Sequence, residues 1–250
     1  MKLPQTLIIF LILCMVSAFA SDLKPEIVRK ELMGTAQKKD SQVFYLERSV
    51  LTYNKNKLEK IVTQYTSNDG KLIAESHSSL EKNIYLPDVS MKDFRDQYEY
   101  QIVYLPGEKK VEISQKNDAK SEWVRKKISY SENMTNSVGL MNYIKDHAAD
   151  LKTEKRKVFR YIIPSRQDDY GMIVEYLSED KNILYFQFKI ENSLIRSLAG
   201  TGESHVSFDL GTSQITEFKG VALLLDEKDK SVEVTLSYLP LKIISEKAEK

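Results

Sequence analysis

From Val43 onward, apolar and polar residues alternate with a period of two, and turn residues break the alternation at short intervals. Alternation sends every second side chain to the same face, so each such segment reads as a strand with one face buried. Val43, Tyr45, Val50 and Tyr53 mark the first, Leu58 to Tyr65 the second, and Leu72 to Ser78 the third. Between the last two stands Asn68-Asp69-Gly70-Lys71, where Asn/Asp-Gly supplies the positive φ angles of a tight hairpin. Tyr98, Tyr100, Ile102 and Tyr104 alternate again, and Pro106-Gly107-Glu108 turns them into Lys110 to Ser114. Asn117-Asp118 leads on to Glu122 through Tyr130, and further strands are predicted over 158–163, 171–177, 183–190, 204–209, 214–225 and 231–238. Short loops between such segments pair neighbours in sequence order.

One segment departs from this period. Val138, Met141, Ile144, Ala148 and Leu151 recur at spacings of three and four, which predicts a helix over 136–151 capped by Asn136 or Ser137. Hairpin after hairpin with one inserted helix excludes a doubly wound α/β fold. The expected fold is mainly β: a large antiparallel curled sheet or half-barrel with one packed amphipathic helix. The β-rich domain is read as 43–241. Before it lies a lead-in over 21–42, with Pro25 to Met33 a short helix or disordered; after it, 242–250 reads as a charged tail. Pro87-Asp88 opens an irregular stretch, and Asn192 to Gly202 reads equally as helix or loop.

The first twenty residues carry a different signal. Met1-Lys2 is followed by the apolar run Leu7 to Val16 and then by Ser17-Ala18-Phe19-Ala20, the small-x-small spacing of a signal-peptidase site. The run falls short of the roughly 20 residues that span a bilayer, and Ser21, Asp22 and Lys24 end it. We therefore expect a secretory signal over 1–20, cleaved after Ala20, and a periplasmic or secreted mature chain with no transmembrane span. Cys14 could be lipidated in a lipoprotein, but Leu13 precedes it where a small residue is required. Cleavage at Ala20 would remove this single cysteine, and with it any disulfide or thiolate chemistry. It would also remove Lys2, turning 37 basic residues into 36 against 36 acidic ones. A neutral chain has no electrostatic footprint for nucleic acid.

Candidate chemistry is sparse. His77, His147 and His205 lie far apart in sequence, and none shows the i, i+4 pairing of a zinc helix. There is no nucleophile elbow and no phosphate or dinucleotide loop, and Gly200-Thr-Gly202 is too short to be one. Asp88, Asp93 and Asp96 form an acidic loop without the ligand spacing of a calcium-binding hand, and Asp168-Asp169 follow Arg166. These carboxylates and histidines read as surface and structural groups. The expectation is a non-enzyme with no catalytic residues, no cofactor and no metal. A hydrolase would require a histidine within hydrogen-bonding reach of a carboxylate in a cleft. Fourteen tyrosines, many at alternating strand positions, combine an apolar body with a polar tip. On a concave sheet closed by the helix, Tyr98, Tyr100, Tyr104, Met141 and Ile144 are the residues expected to face a ligand. The partners so implied are a lipid or other apolar ligand, or an envelope protein; an interaction scaffold without a ligand is the alternative.

Several segments together resemble a family of exported bacterial proteins. They are Val43-Phe-Tyr-Leu-Glu47, Tyr65 to Ala74, Leu86-Pro87-Asp88, Asp93-Phe-Arg95, Ile163-Pro-Ser-Arg166, Asn192 to Gly200 and the strands around Gly220. That family is itself uncharacterised, so the resemblance implies a Gram-negative, periplasmic setting and no chemistry. The layout is more distantly similar to the half-barrels of Lol-type lipoprotein carriers, in architecture alone.

Overall fold

The computed structural model describes residues 27–192, 203–222, 224 and 231–244. The expected signal peptide, the 193–202 stretch and the last residues of the tail lie outside them. The strands in chain order are β1 (Ile27–Lys38), β2 (Val43–Asn54), β3 (Lys57–Thr66), β4 (Leu72–Ser79), β5 (Asp88–Asp93), β6 (Glu99–Leu105), β7 (Lys110–Lys116) and β8 (Val124–Ser129). After the two-residue β9 (Met134–Thr135) comes helix α1 (Ser137–Glu154). Then follow β10 (Arg156–Ile163), β11 (Asp168–Asp180), β12 (Ile183–Ile190), β13 (Ser204–Asp209), β14 (Gln214–Val221), β15 (Glu233–Tyr238) and β16 (Lys242–Ile244).

All sixteen belong to one sheet, ordered β8-β7-β6-β5-β4-β3-β2-β1-β15-β14-β13-β12-β11-β10-β9, with β16 also on β1. The fold class is as the alternation predicts: mainly β, antiparallel at every ladder except β9 with β10, with one α-helix among the described residues. Two-residue turns at Lys55-Asn56 and Lys181-Asn182 take positive φ at both positions (47° and 65°, 46° and 72°). That geometry matches the right-handed twist of the strands they join. At the hairpin predicted for 68–71, Gly70 sits at φ 84°.

Three expectations need correction. Ile27–Lys38, expected as helix or lead-in, is strand β1, with β2 on one side and β15 and β16 on the other. Its buried residue Ala36 and its Gly34 are weak strand formers, so pairing on both edges overrides local propensity. Asp88–Asp93, expected as an irregular acidic loop, is β5, with Val89, Met91 and Asp93 buried in strict alternation. Lys242–Ile244, expected as the start of a tail, pairs with Arg29 to Glu31.

The sheet curls until its ends approach one another. Met134 of β9 and Ile162 of β10 share one core with Tyr45, Tyr65, Ile102, Val111 and Ile113 from the other arm. A second core holds the helix: Leu140, Ile144, Ala148 and Leu151 pack on Phe159, Val174, Phe186, Phe188 and Phe208. Each buried Leu or Phe stabilises by roughly 1.5–3 kcal/mol, so the helix is fixed mainly by this face. Asn136 caps it by accepting a hydrogen bond from Gly139 N at 3.0 Å, and Lys155 ends it in the left-handed region. The helix therefore runs three residues beyond the predicted 151. Its start is tied to the 83–87 segment: Thr135 Oγ1 donates to Tyr85 O (2.8 Å) and Asn136 Nδ2 to Pro87 O (2.8 Å).

Candidate functional site

The two terminal strands of the path, β8 and β9, do not pair with each other. They are consecutive in the chain, joined through 130–133, so the curled sheet meets itself at a seam rather than a ladder. β9 covers β10 only at Arg160 and Tyr161. Beyond it the seam is bridged by side chains: Lys126 Nζ to Asp168 Oδ2 at 2.7 Å, and Gln167 Nε2 to Val124 O at 2.9 Å. Between the edges lies a cleft of about 640 Å³ lined by Lys126, Ile128, Tyr130, Met134, Arg160 and Asp168, among others.

β8 has a free edge. Its register with β7 has no bulge (Lys110 opposite Ser129 through Gln115 opposite Val124), and Tyr130 N donates to Lys109 O at 3.0 Å. Hydrogen-bonded pairs alternate along an antiparallel ladder. The N–H and C=O of Arg125, Lys127 and Ser129 therefore point into the seam. A row of unpaired backbone groups is a template for another strand.

A second polar feature lies inside the sheet. Glu47 on β2 falls in the buried phase with Tyr45 and Ser49, and is 9% exposed. Its Oε1 accepts from Tyr238 Oη and from Ser49 Oγ, both at 3.4 Å, while Ser49 and Thr63 hydroxyls share a bond of 2.8 Å. Tyr238 reaches it across an intervening strand, because Gly34 on β1 stands opposite both residues. A Cβ on Gly34 would lie 3.0 Å from the Tyr238 ring, so the missing side chain is what lets the phenol through. Burial pushes the Glu47 carboxyl up to about 7, against the lowering by Tyr238 and Ser49. Burial, and then Glu47 itself, raises the phenols of Tyr45, Tyr65 and Tyr238.

The histidines occupy separate places. His147 Nδ1 contacts Asp150 Oδ2 at 3.1 Å and its Nε2 contacts Tyr85 Oη at 3.1 Å, with Tyr143 stacked on the ring at 4.3 Å. This carboxylate–imidazole–phenol chain sits where α1 leaves helical geometry (His147 φ −124°, ψ 21°) and fastens the 83–87 segment to the helix. The Tyr85 phenol is raised, by burial first and Asp146 second, which is the wrong direction for a nucleophile. His77 lies 2.5 Å from Glu75 and lines an outer cleft of about 320 Å³ over β3 to β6, opposite Ser90. This is the histidine–carboxylate pair in a cleft that a hydrolase would require, but among the described residues Ser90 makes no hydrogen bond to His77, so base and hydroxyl are not coupled. His205 meets Gln187 at 3.5 Å.

The acidic residues are engaged locally. Asp93 is buried against Arg95, Asp96 accepts from Tyr98 N (2.8 Å), and Asp88 accepts from Tyr104 N (2.8 Å). Asp169 holds Arg160. Among the described residues, no three histidine, aspartate or glutamate side chains gather as a metal site.

The five residues expected to face a ligand are divided between the two cores. Tyr100 (6% exposed) is buried in the first, with Tyr98 and Tyr104 packed against it; Ile144 (0%) is buried in the second, with Met141 beside it. Tyr98 and Tyr100 have ring centroids 6.0 Å apart, and burial then Asp96 pushes the Tyr98 phenol up to about 12. Tyr104 lies against Tyr130, which lines the seam, with ring centroids 4.6 Å apart and planes tilted by 39°. The seam itself has no sequence signature beyond the cationic run Arg125-Lys126-Lys127. Glu47 did leave a sign, as a carboxylate in the apolar phase of a strand.

No protein-family model and no curated protein matches the chain. Among solved structures, a crystal structure described as a β-barrel-like protein of domain of unknown function DUF1849 from Brucella abortus is similar, with a TM-score of 0.38 and 8% identity. The alignment covers 88% of this chain and 98% of that one. No helix among the described residues is long and apolar enough to cross a membrane.

Proposed function

We propose that the protein is an exported, non-enzymatic binding module that holds an extended segment of a partner protein along the seam beside β8. The observation carrying this reading is the free edge of β8 facing a cleft of about 640 Å³. Strand addition gives affinity through main-chain hydrogen bonds and specificity through alternate side chains. Of the residues expected to hold an apolar ligand, Tyr100 and Ile144 are buried in the protein's own cores, and Tyr98, Tyr104 and Met141 pack partly buried against those cores, which disfavours an apolar ligand there. His77 has a carboxylate partner, Glu75, in the outer cleft as a hydrolase would require, but no hydroxyl is bonded to it among the described residues, and the Tyr85 phenol is raised; both support a role without catalysis.

A photo-crosslinking residue placed at Ser129, in the seam, is expected to give an adduct with a defined envelope protein in the host. The same residue at Lys219, on β14, is expected to give none. Equal labelling at both positions, or none at Ser129, would reject the seam as the binding face. Solvent extraction of natively purified protein is expected to yield no stoichiometric lipid; one lipid per chain would replace this reading with that of an apolar carrier.

Export rests on the sequence of residues 1–20. Mass spectrometry of protein from its host should give a mature chain beginning at Ser21 and free of lipid. A chain retaining Met1, or one starting at an acylated Cys14, would contradict cleavage after Ala20.

A further inference from the structure

The electrostatics of the seam narrow the class of its occupant. β8 carries Arg125, Lys126 and Lys127 in succession on an edge whose residues are nearly all exposed. Across the seam Lys126 is satisfied by the Asp168 carboxylate (2.7 Å), while Lys127 is held on its own side by Glu108, in the turn between β6 and β7 (2.8 Å). The molecule thus shows which group β8 accepts across the gap: a carboxylate. A strand entering between β8 and β10 separates Lys126 from Asp168 and Val124 from Gln167. Lys126 then loses its ion pair.

The same run argues against a second copy of this chain as the occupant. Two β8 edges paired about a two-fold axis at Lys126 would set Arg125 and Lys127 of one copy opposite Lys127 and Arg125 of the other, and Lys126 opposite Lys126. Like charges directly opposed across a strand pair are destabilising, and charged edges are a common guard against such pairing. A guard made of cations admits a partner that neutralises it.

We propose that the seam takes an extended acidic segment of a different protein, bearing carboxylates opposite Arg125, Lys126 and Lys127. This rests on the reading of the seam as the binding face and specifies its partner.

The test uses the mature chain and three synthetic peptides, Thr-Val-Glu-Glu-Glu-Val-Thr and its counterparts with three Gln or three Lys. Amide hydrogen exchange at Lys127 and Ser129, followed by NMR, reports strand addition at the edge itself. The acidic peptide should slow exchange at both amides and bind about tenfold more tightly than the Gln peptide, the combined effect of a few exposed ion pairs. That ratio should collapse in about 0.5 M salt, where the screening length falls to a few ångströms. Equal binding of the Gln or Lys peptide would overturn the acidic preference while leaving the seam in place. No protection by any peptide would reject the seam itself. Protection that grows with protein concentration in the absence of peptide would identify a second copy as the occupant.

Discussion

Gly139→Ala is expected to destabilise the protein by about 3 kcal/mol, although alanine is the better helix former. In an ordinary helix the change would stabilise by up to about 1 kcal/mol. Here an added Cβ would stand 1.9 Å from the Tyr85 carbonyl oxygen and 2.8 Å from Thr135 Oγ1. The obstacle is backbone, so the 83–87 segment must withdraw from the helix. Withdrawal removes the bonds from Thr135 to Tyr85 O and from Asn136 to Pro87 O, and leaves their partners buried and unsatisfied. Forced overpacking costs about 1–3 kcal/mol, and the lost bonds place this case at the top of that range. Urea unfolding measured against wild type checks it. A loss below about 1 kcal/mol would show that the segment yields cheaply, and that its attachment to α1 is not a fixed point of the fold.

Glu47→Gln is expected to act in the opposite sense. A carboxyl raised to about 7 in the folded chain, from about 4.5 when exposed, binds its proton more tightly when folded than when unfolded. Its favourable contribution is complete below about pH 4.5 and is lost as pH rises through 7. Above that, folding carries the cost of an ionised buried group, on the order of 3 kcal/mol. Glutamine keeps an acceptor for Tyr238 and Ser49 and never ionises. The variant should therefore match wild type near pH 4.5, exceed its melting temperature at pH 8, and lose most of the slope between. A wild-type stability that is flat from pH 5 to 8 would refute the raised carboxyl.

Much of the fold is legible from alternation and turn chemistry, and its failures share one cause. Residues 43–66, Tyr98 to Tyr104 and the helix from Asn136 were readable because their periods are set locally. β1 was not, because Gly34 and Ala36 earn their strand state from neighbours some two hundred residues away (Ala36 stands opposite Leu236). β5 was hidden by the aspartates at its ends, which look like turn residues until Arg95 is seen to neutralise Asp93. Beyond the cationic run 125–127 the seam had no local sign: an edge exists only when the order of strands is known, and no period in 124–129 says what lies beside it. The Gly34 gap that lets Tyr238 reach Glu47 likewise needs the registers of two ladders together.

The strand order also says how the chain can assemble. β1 and β15 sit side by side in the middle of the sheet, and the tips of the two arms are the consecutive strands β8 and β9. Each arm winds outward from the centre by pairing sequence neighbours, through antiparallel strands except the parallel β10–β9 step across α1, so each can form by short-range zipping. The central ladder joins the two arms and closes a loop that contains nearly the whole chain. Loop-closure entropy makes that contact the slow one, so the two arms are the natural units of folding and their junction is the rate-limiting weld.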